Sequence, residues 1–518
     1  MTEHTAGPSV VLVADRTLSG SYKILFEAIF ASMQTTQIPE IVLRKFLSPQ
    51  VRTDQAGRAH TAALGLRRIE SCLIKNTALE PEDIICTTPE KLASVIGAHT
   101  KIVGFTSSDP LGMGMSNTTT THFWKGQLYT RYWSRKLLEQ LKPLKDKFHF
   151  TVIAGGAGVW QFNAFADLAR DLPIDIFFSG YFEDKGPQLF TDILNSRSTE
   201  THIHEKNACV NKIQPIRSAS MVGTVELSRG CARGCRFCSM SKIKMEHVPA
   251  DTILSDLQTN ISQGITSVVS GSEDFFRYGS DGIRPDFDKL YNLLSQMHTL
   301  KDLSFMQIDH GNISSVLQLT YEQLREIRKL LYWHKRSDYL WVNMGVESAN
   351  GHLVASCSAG KIAPFDPQDW AQMVREAADL LNRTGFFPVF SVILGLPGET
   401  KADVIDTIKL VKDLGQKRAV IFPIFYEPIL TQEIQDNKRF TISTMRPEHL
   451  ELYSSCYEIN FKQVPKLFWD NQRAAGVSWL KRATLQVLGK TEVRTWRKTF
   501  KKLKPILQKK QELSNNDN

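Results

Sequence analysis

The sequence predicts an α/β protein with a mainly helical C-terminal segment, and three observations support this fold class. Apolar strand-like runs alternate with amphipathic helical stretches over the first 200 residues or so, which is typical of a doubly wound parallel sheet. From about Met221, strand and helix units repeat every 30 to 40 residues or so, as in a partial (β/α) barrel. Beyond residue 430, tryptophans among basic residues indicate a helical cap, namely Trp469, Trp479 and Trp496.

Each predicted element follows from its hydrophobic period. In the first region we expect strands at residues 10–14, 83–86, 101–106, 150–154 and 174–178, with helices at 22–33 and 61–74 and a long loop between these helices. In the second region we expect six strands, at 224–227, 266–270, 303–308, 340–346, 388–394 and 419–425, separated by helices at 252–263, 287–298, 321–331, 368–381 and 402–414. The chain therefore divides into a Rossmann-like domain at 1–205, a partial (β/α)6 barrel at 206–430 and a helical, basic segment at 431–518.

The composition is that of an ordinary globular protein, with 42% hydrophobic and 23% charged residues in a chain of 518. No apolar run is long enough to span a bilayer and residues 1–4 do not begin a signal peptide, so we expect a cytoplasmic protein without membrane association. Much of the net charge of +9 lies between Lys481 and Lys510. A solvated helix face explains this charge better than nucleic-acid binding, and an acidic partner is the alternative.

Three of the eight cysteines, Cys231, Cys235 and Cys238, follow the strand at 224–227 with the spacing Cys-x3-Cys-x2-Cys. On a loop that leaves a strand, these thiols can surround one compact metal centre. A structural zinc site has four protein ligands and most iron–sulfur cubes have four thiolates, so three thiols leave one metal position open. A zinc knuckle with His247 as fourth ligand is the alternative.

The cysteine spacing, with the aromatic Phe237 before the last thiol, resembles the signature of the radical S-adenosylmethionine (SAM) superfamily. The resemblance implies that the three cysteines hold a 4Fe–4S cluster whose fourth iron binds the amino and carboxylate groups of SAM. The segments 271–274, 345–348 and 395–400 follow in the order of the family's SAM-binding elements, with Ser272 where the family usually has a glycine. The implied SAM contacts are Phe237, Gly271, Ser272, Glu273, Glu347, Gly395 and Leu396.

Small and polar residues follow three strands of the first region, at 107–112, 155–158 and 179–183. Ligands bind at the carboxyl ends of strands in such sheets, although tight strand-to-helix turns also need glycine. A Rossmann-like domain directly before a radical SAM core resembles the cobalamin-dependent (class B) radical SAM enzymes. The implied cobalamin contacts are Thr106, Ser107, Ser108, Asp109, Gly155, Gly156, Gly158, Ser179 and Gly180.

The cobalt itself lacks an obvious protein ligand in this sequence. An Asp-x-His-x-x-Gly motif, which supplies a histidine to cobalt in other cobalamin proteins, is missing. Arg67 and Arg68 are candidates for the lower face of the cofactor, and exposed positions on a helix are the alternative for both. His310 ends the third strand of the second region and is the candidate catalytic residue, with a structural role as the alternative.

The resemblance implies a C-methyltransferase of the methylase type, which moves a methyl group from SAM through methylcobalamin to a carbon of a peptide, protein or small molecule. Two SAM molecules are expected per product, one giving 5′-deoxyadenosine and methionine and the other S-adenosylhomocysteine. An electron donor such as a flavodoxin or ferredoxin is the implied partner.

Several alternatives remain open at this point. They are polar methylation as in a tryptophan-methylase-like enzyme, ring contraction or cyclisation without methyl transfer, and a non-enzymatic cobalamin or metal sensor. A methylthiotransferase would need a second cysteine triplet in its N-terminal domain, where this sequence has only Cys72 and Cys86.

Overall fold

The computed structural model describes residues 6–332, 338–429, 434 and 438–516. Two compact units are present, one formed by Met1–Glu226 with Val248–Val268 and the other by Leu227–His247 with Val269–Asn518. Within the described ranges, no helix combines the length and the apolar character needed to cross a membrane. The two boundaries between the three domains expected from the sequence stay a prediction.

The first unit contains a six-stranded parallel sheet whose strand order is β2-β1-β3-β4-β5-β6. The strands are Val10–Ala14 (β1), Ile84–Thr87 (β2), Ile102–Thr106 (β3), Thr151–Gly155 (β4), Ile176–Ser179 (β5) and His202–His204 (β6). The order reverses between β1 and β3, and in doubly wound sheets this switch point is where ligands bind. The predicted doubly wound sheet is confirmed, with one added edge strand, β6.

Helices cover both faces of this sheet, so every residue of strand β1 is buried. Val10 and Leu12 belong to one apolar cluster with residues of the helix Leu64–Asn76, whereas Val11 and Val13 belong to another with residues of Tyr129–Phe148. The helices of this unit are Leu25–Met33, Glu40–Phe46, Leu64–Asn76, Leu92–Val95, Met115–Phe123, Tyr129–Phe148, Trp160–Ala164, Ala166–Ala169, Gly186–Leu194 and Ala250–Ser262. The expected long loop before residue 61 was thus partly wrong, since Glu40–Phe46 forms a short helix there.

Arg67 and Arg68 are buried, so the alternative of exposed helix positions was wrong for both. The Arg67 side chain donates to the carbonyls of Ala219 and Ala59 and pairs with Glu70 at 3.0 Å. Arg68 binds both carboxylate oxygens of Asp256, at 3.1 and 2.5 Å. Because both guanidinium groups are occupied by the protein, they join segments of the unit to each other.

The six strands expected for the second region are all present: Thr224–Glu226 (β7), Ser267–Gly271 (β10), Phe305–Ile308 (β11), Leu340–Glu347 (β12), Phe386–Leu394 (β13) and Val420–Phe425 (β14). The last three form a parallel sheet in chain order. Two short strands, Ser228–Arg229 (β8) and Glu246–His247 (β9), pair antiparallel. The strand and helix alternation of the predicted partial (β/α)6 barrel is therefore confirmed.

The second unit has eight described helices: Phe287–His298, Ile313–Leu317, Tyr321–Leu330, Gly351–Ile362, Trp370–Thr384, Lys401–Leu414, Pro447–Ala474 and Trp479–Asn516. Counted over both units, all seven helices expected from the sequence match helices of the structure within about four residues at either end. The last two helices confirm the helical C-terminal segment. Gly351–Ile362 was not predicted, and its backbone is kinked at Ser358.

Candidate functional site

The three cysteines of the predicted cluster lie on the loop between the short strands β8 and β9. The amide of Cys231 donates to the carbonyl of Ile243 at 3.0 Å, which closes the loop across its base. The Ser241 hydroxyl donates to the carbonyls of both Cys235 and Cys238, at 2.6 and 2.8 Å. Hydrogen bonds to backbone groups of all three cysteines therefore hold them in one short, folded-back segment.

Arg233, between the first two cysteines, anchors this loop to three other segments of the second unit. Its guanidinium donates to the Asp274 carboxylate at 2.7 Å and to the hydroxyls of Ser314 and Ser315 at 3.1 and 2.7 Å. A fourth bond goes to the Gly360 carbonyl at 2.7 Å. Only 2% of the Arg233 side chain and none of Asp274 is exposed, so the pair is dry and its charges are matched. Arg233 was not among the residues predicted from the sequence, although its position inside the cysteine run could have indicated a role in holding the loop.

The thiols are chemically suited to iron. All three are free cysteines, and burial raises the pKa of Cys231 and Cys238 to about 11. Thiolate is the form that binds metal, so iron must displace a firmly held proton from each. Soft thiolate ligands select iron–sulfur clusters, copper(I) or zinc. The donor set thus fits the predicted cluster.

The zinc alternative is not supported by the position of His247. Among the described residues, no three His, Cys, Asp or Glu side chains form a group that could hold a metal ion, so His247 does not join the thiols around one zinc. Its Nε2 instead lies 2.8 Å from the Ser280 carbonyl oxygen. In a cluster each cysteine binds a different iron, so the thiols need not converge on one point.

Two of the predicted SAM contacts follow strand β10. The Ser272 hydroxyl lies 2.6 Å from that of Ser228 and is buried, so this side chain joins two segments of the unit. Glu273, next to it, is half-buried. Burial raises the pKa of Glu273, and the positive charge of His310 opposes that rise. Gly271 precedes them, and its carbonyl accepts a hydrogen bond from the Leu227 amide at 2.8 Å.

Glu347 ends strand β12 in a left-handed conformation, with φ of 63°, and is 4% exposed. Its carboxylate forms an ion pair with Lys361, whose ammonium also lies 5.9 Å from the centre of the Phe237 ring. Burial lowers the pKa of Lys361, but Glu347 and Cys235 outweigh burial and raise it overall. A Cβ on Gly345 would collide with the ends of the Glu347 and Lys361 side chains, so a side chain there would displace this ion pair. Lys361 was missed because it follows the strand by fourteen residues.

The remaining SAM contacts, Gly395 and Leu396, follow strand β13. Gly395 has φ of 81°, and its amide donates to the Glu399 carboxylate at 2.9 Å. The same carboxylate lies 2.9 Å from Nε2 of His449, on the helix Pro447–Ala474. Glu399 therefore closes the turn after this strand and ties it to the C-terminal part of the unit.

The candidate catalytic residue, His310, is held on both ring nitrogens. Nδ1 lies 3.1 Å from the Asp309 carboxylate, and Nε2 lies 2.9 Å from the Asn343 side-chain amide. Burial alone would lower the pKa of His310, but the negative charges of Asp309 and Glu273 outweigh it and raise the pKa to about 9. With this pKa the His310 ring is charged at neutral pH and donates from both nitrogens, to the Asp309 carboxylate and to Asn343, whose side-chain amide must then turn its oxygen toward Nε2.

The predicted cobalamin contacts divide into buried and accessible groups. Asp109 is 3% exposed and accepts hydrogen bonds from the side chains of Asn117 and Gln161, both at 2.6 Å. Ser107 is also buried, with its hydroxyl 3.1 Å from that of Ser134. Gly158 is buried as well. These residues hold the loops of the sheet edge together.

The accessible group is Thr106, Ser108, Gly155, Gly156, Ser179 and Gly180. Gly156 and Gly180 have φ of 87° and 102°, and a Cβ there would collide with Thr106 and with the Glu205 carbonyl. Both turns therefore need glycine for packing, and both still expose backbone at the carboxyl edge of the sheet. Such an edge fits a large ligand with amide and phosphate groups.

Asp15, directly after strand β1, was not predicted and lies at the switch point of the sheet. Its amide donates to the Thr106 carbonyl at 3.2 Å, and its carboxylate accepts from the Thr17 amide at 2.7 Å. Burial raises the pKa of Asp15 to about 6. An aspartate following a wholly apolar strand was the signal available in the sequence.

We predict that Arg233→Met prevents assembly of the cysteine site. The buried Asp274 carboxylate would lose its partner, which costs roughly 3 to 5 kcal/mol, and the loop would lose its anchor. After anaerobic reconstitution, iron bound per chain should fall by more than about half relative to the unsubstituted protein. Arg236→Met is the control, because Arg236 is exposed on the same loop. Equal iron content in both variants would contradict the anchoring role.

We also predict that Asp309→Asn lowers the pKa of His310 from about 9 toward its ordinary value of about 6.5, because the ring loses the negative charge and the hydrogen-bond acceptor of Asp309. Since the folded-state pKa is raised, charged His310 stabilises the fold at low pH, and this contribution is lost as pH rises through about 9. Titration of the histidine ring by NMR measures the change. Asp302→Asn, which removes an exposed carboxylate, should leave the His310 curve unchanged.

Part of the chain matches a model of a known protein family. Residues 225–411 match the model of the Radical SAM superfamily. A tRNA-2-methylthio-N(6)-dimethylallyladenosine synthase from Vesicomyosocius okutanii is 22% identical over 298 residues, 55% of this chain and 63% of that protein. The ribosomal protein uS12 methylthiotransferase RimO from Leptospira biflexa is 26% identical over 206 residues, 39% of this chain and 41% of that protein. The chain thus spans less than two thirds of these curated relatives.

Two solved structures share the fold over most of the chain. The radical SAM methyltransferase TsrM from Kitasatospora setae, with tryptophan substrate and a SAM analog bound, has a TM-score of 0.52 at 13% identity, covering 80% of this chain and 73% of that one. TsrM with cobalamin and a [4Fe–4S] cluster bound has a TM-score of 0.51 at 12% identity, covering 81% and 72%. Residues 225–411 thus match a radical SAM domain, and such a domain implies a 4Fe–4S cluster and SAM.

Proposed function

We propose that the protein is a cobalamin-dependent (class B) radical SAM C-methyltransferase acting on a carbon of a peptide, protein or small molecule. The observation that carries the proposal is that one chain contains both a three-thiol loop and a doubly wound sheet whose carboxyl edge is accessible and lined by glycines. The likeness to TsrM, whose structures contain cobalamin and a [4Fe–4S] cluster, supports the same combination. When bound, the cluster and SAM supply hydrogen abstraction by a 5′-deoxyadenosyl radical, and methylcobalamin supplies the methyl group.

The role of the chain in this reaction is to bind and orient. Cys231, Cys235 and Cys238 would hold three irons, and Arg233 keeps their loop in one conformation. Glu273 and Glu347 would receive the amino and ribose groups of SAM. A carboxylate whose pKa is raised by burial, or whose charge is matched by a cation, suits cationic and hydroxyl donors. It can accept hydrogen bonds from them in a site shielded from water.

His310 can serve this site as a fixed positive charge. Its ring is charged at neutral pH and lies within electrostatic reach of Glu273. It therefore helps keep that carboxyl ionised for the SAM amino group. In this proposal His310 positions charge and moves no proton, since both ring nitrogens already have partners.

A methylthiotransferase is the other candidate, because the curated relatives carry that name. The two cysteines of the N-terminal region do not support it. Cys72 and Cys86 are 1% and 0% exposed and belong to the apolar core beneath the sheet. Burial raises the pKa of Cys86, which makes its thiolate, the metal-binding form, less accessible. We therefore favour methyl transfer over sulfur insertion.

We predict that the anaerobically reconstituted protein with cobalamin, SAM and a reductant forms 5′-deoxyadenosine and S-adenosylhomocysteine. Both products are quantified by chromatography. Cys235→Ala should lower deoxyadenosine formation by at least about a hundredfold, since the cluster loses one of three ligands. Cys456→Ala, at a buried cysteine of the helix Pro447–Ala474, is the matched control and should retain activity.

The products discriminate the mechanisms. S-adenosylhomocysteine without 5′-deoxyadenosine would indicate polar methyl transfer. 5′-Deoxyadenosine without S-adenosylhomocysteine would indicate ring contraction or cyclisation. Cofactor binding without any SAM cleavage would indicate a sensor. If the protein neither binds cobalamin nor forms deoxyadenosine, the proposal is wrong.

We further predict that Ser108→Trp reduces cobalamin bound per chain by more than about half. Ser108 is exposed on the loop after strand β3, so a bulky ring there would cover the sheet edge. The visible absorbance of the purified protein measures bound cobalamin. Ser198→Trp is the control, since Ser198 is exposed before strand β6, at the amino edge of the same sheet. Equal loss in both variants would place the cofactor elsewhere.

A further inference from the structure

The C-terminal helix Trp479–Asn516 carries the net charge of the protein. It contains eleven Lys or Arg residues and two Glu residues, a net charge of +9, which equals the formal net charge of the whole chain. The rest of the sequence is therefore neutral overall. A surface of one sign on a neutral protein dominates its long-range electrostatic field.

One face of this helix is used for packing. Trp496 lies 4.4 Å from Tyr457 and Phe500 lies 5.9 Å from Tyr453, both measured between ring centres. These tyrosines belong to the preceding helix, Pro447–Ala474. The aromatic residues in the middle of the C-terminal helix are thus buried by the protein itself.

The opposite side, which we call the basic face, consists of Arg494, Lys498, Lys501 and Lys502. All four are exposed, and in the part of the chain that the structure describes none of them forms an ion pair with a carboxylate. Arg494 and Lys498, and Lys498 and Lys502, are four residues apart. Like charges at this spacing destabilise a helix by roughly 0.2 to 0.5 kcal/mol per pair. Helix stability therefore does not explain the basic face.

The surroundings of the basic face indicate the kind of partner. A helix that lies in a membrane surface needs a continuous apolar face for the lipid. Here Trp496 and Phe500 are buried, and the exposed apolar residues of the helix lie before and after the basic face: Trp479, Leu480, Val487, Leu488 and Ile506. Binding of single-stranded nucleic acid uses exposed aromatic rings, and the exposed Trp479 lies about four turns before Arg494. A cluster of unpaired cations suits the carboxylates of an acidic protein.

We propose that the basic face docks an acidic one-electron donor protein. The inference rests on the proposed function, because each reductive cleavage of a SAM molecule consumes one electron that no side chain of this protein supplies. The donor is oxidised by one electron and the cluster is reduced by one. That electron then breaks the bond between sulfur and the adenosyl carbon, which yields methionine and the 5′-deoxyadenosyl radical. Electron-transfer complexes are small, transient and steered by charge.

The test compares two variants of equal charge change, with reduced flavodoxin as the probe. One carries Arg494→Glu, Lys498→Glu and Lys501→Glu. The control carries Lys75→Glu, Lys101→Glu and Lys142→Glu, three exposed lysines of the first unit. We expect flavodoxin affinity, measured by fluorescence anisotropy, to fall about tenfold or more in the first variant and less than about twofold in the control. The difference should shrink at high salt.

Turnover provides the second measurement. With flavodoxin as reductant, deoxyadenosine formation by the first variant should fall about as much as its affinity, whereas dithionite should support both variants equally. If charge reversal unfolds the helix, as circular dichroism would show, the glutamine variant Arg494→Gln, Lys498→Gln and Lys501→Gln replaces it, with the same expected direction.

Three outcomes would overturn the inference. Equal loss of affinity in both variants would show an effect of net charge alone, and unchanged affinity in both would show that the basic face does not bind flavodoxin. Displacement of flavodoxin by an RNA hairpin that binds more tightly would indicate a nucleic-acid surface. The proposed function fails separately, if the unsubstituted protein forms no deoxyadenosine with dithionite while the selective loss of flavodoxin binding is still observed.

Discussion

The buried ion pair between Arg233 and Asp274 is the interaction on which the geometry of the cysteine loop depends. A guanidinium presents five donors in a fixed plane, so a single side chain can bind a carboxylate, two hydroxyls and a carbonyl from different segments at once. At Arg233 these partners lie on the loop after strand β10 and on two helices. The loop that carries the thiols is thereby positioned by the barrel and not only by its own hydrogen bonds.

The same principle of matched charge extends around the site. Glu347 is paired with Lys361, and Asp309 is paired with His310, so each buried or half-buried charge has a partner of opposite sign. Unpaired charges would be costly in such a place. Carboxylates and cations can therefore remain ionised beside the thiols, where SAM, itself charged, is proposed to bind.

In the first unit, the structure separates residues that the sequence could only group. Hydroxyl, carboxyl and glycine residues after the strands all looked like ligand contacts, because short polar residues serve both ligands and tight turns. Burial divides them: Asp109 and Gly158 hold the loops together, whereas Ser108 and Gly156 face outward. The loop after strand β1 adds Asp15 to the same edge.

The sequence by itself determined the positions of most strands and helices, because hydrophobic period is a local property. It also indicated the three candidate cluster ligands, because these thiols lie within eight residues. Tertiary structure alone decided which charges meet. Arg68 finds Asp256 across 188 residues, and Arg233 finds Asp274 across 41. The expectation of exposed arginines on the helix Leu64–Asn76 was wrong for this reason. No local pattern encodes partners at such separation, since they are brought together only when the strands and helices pack.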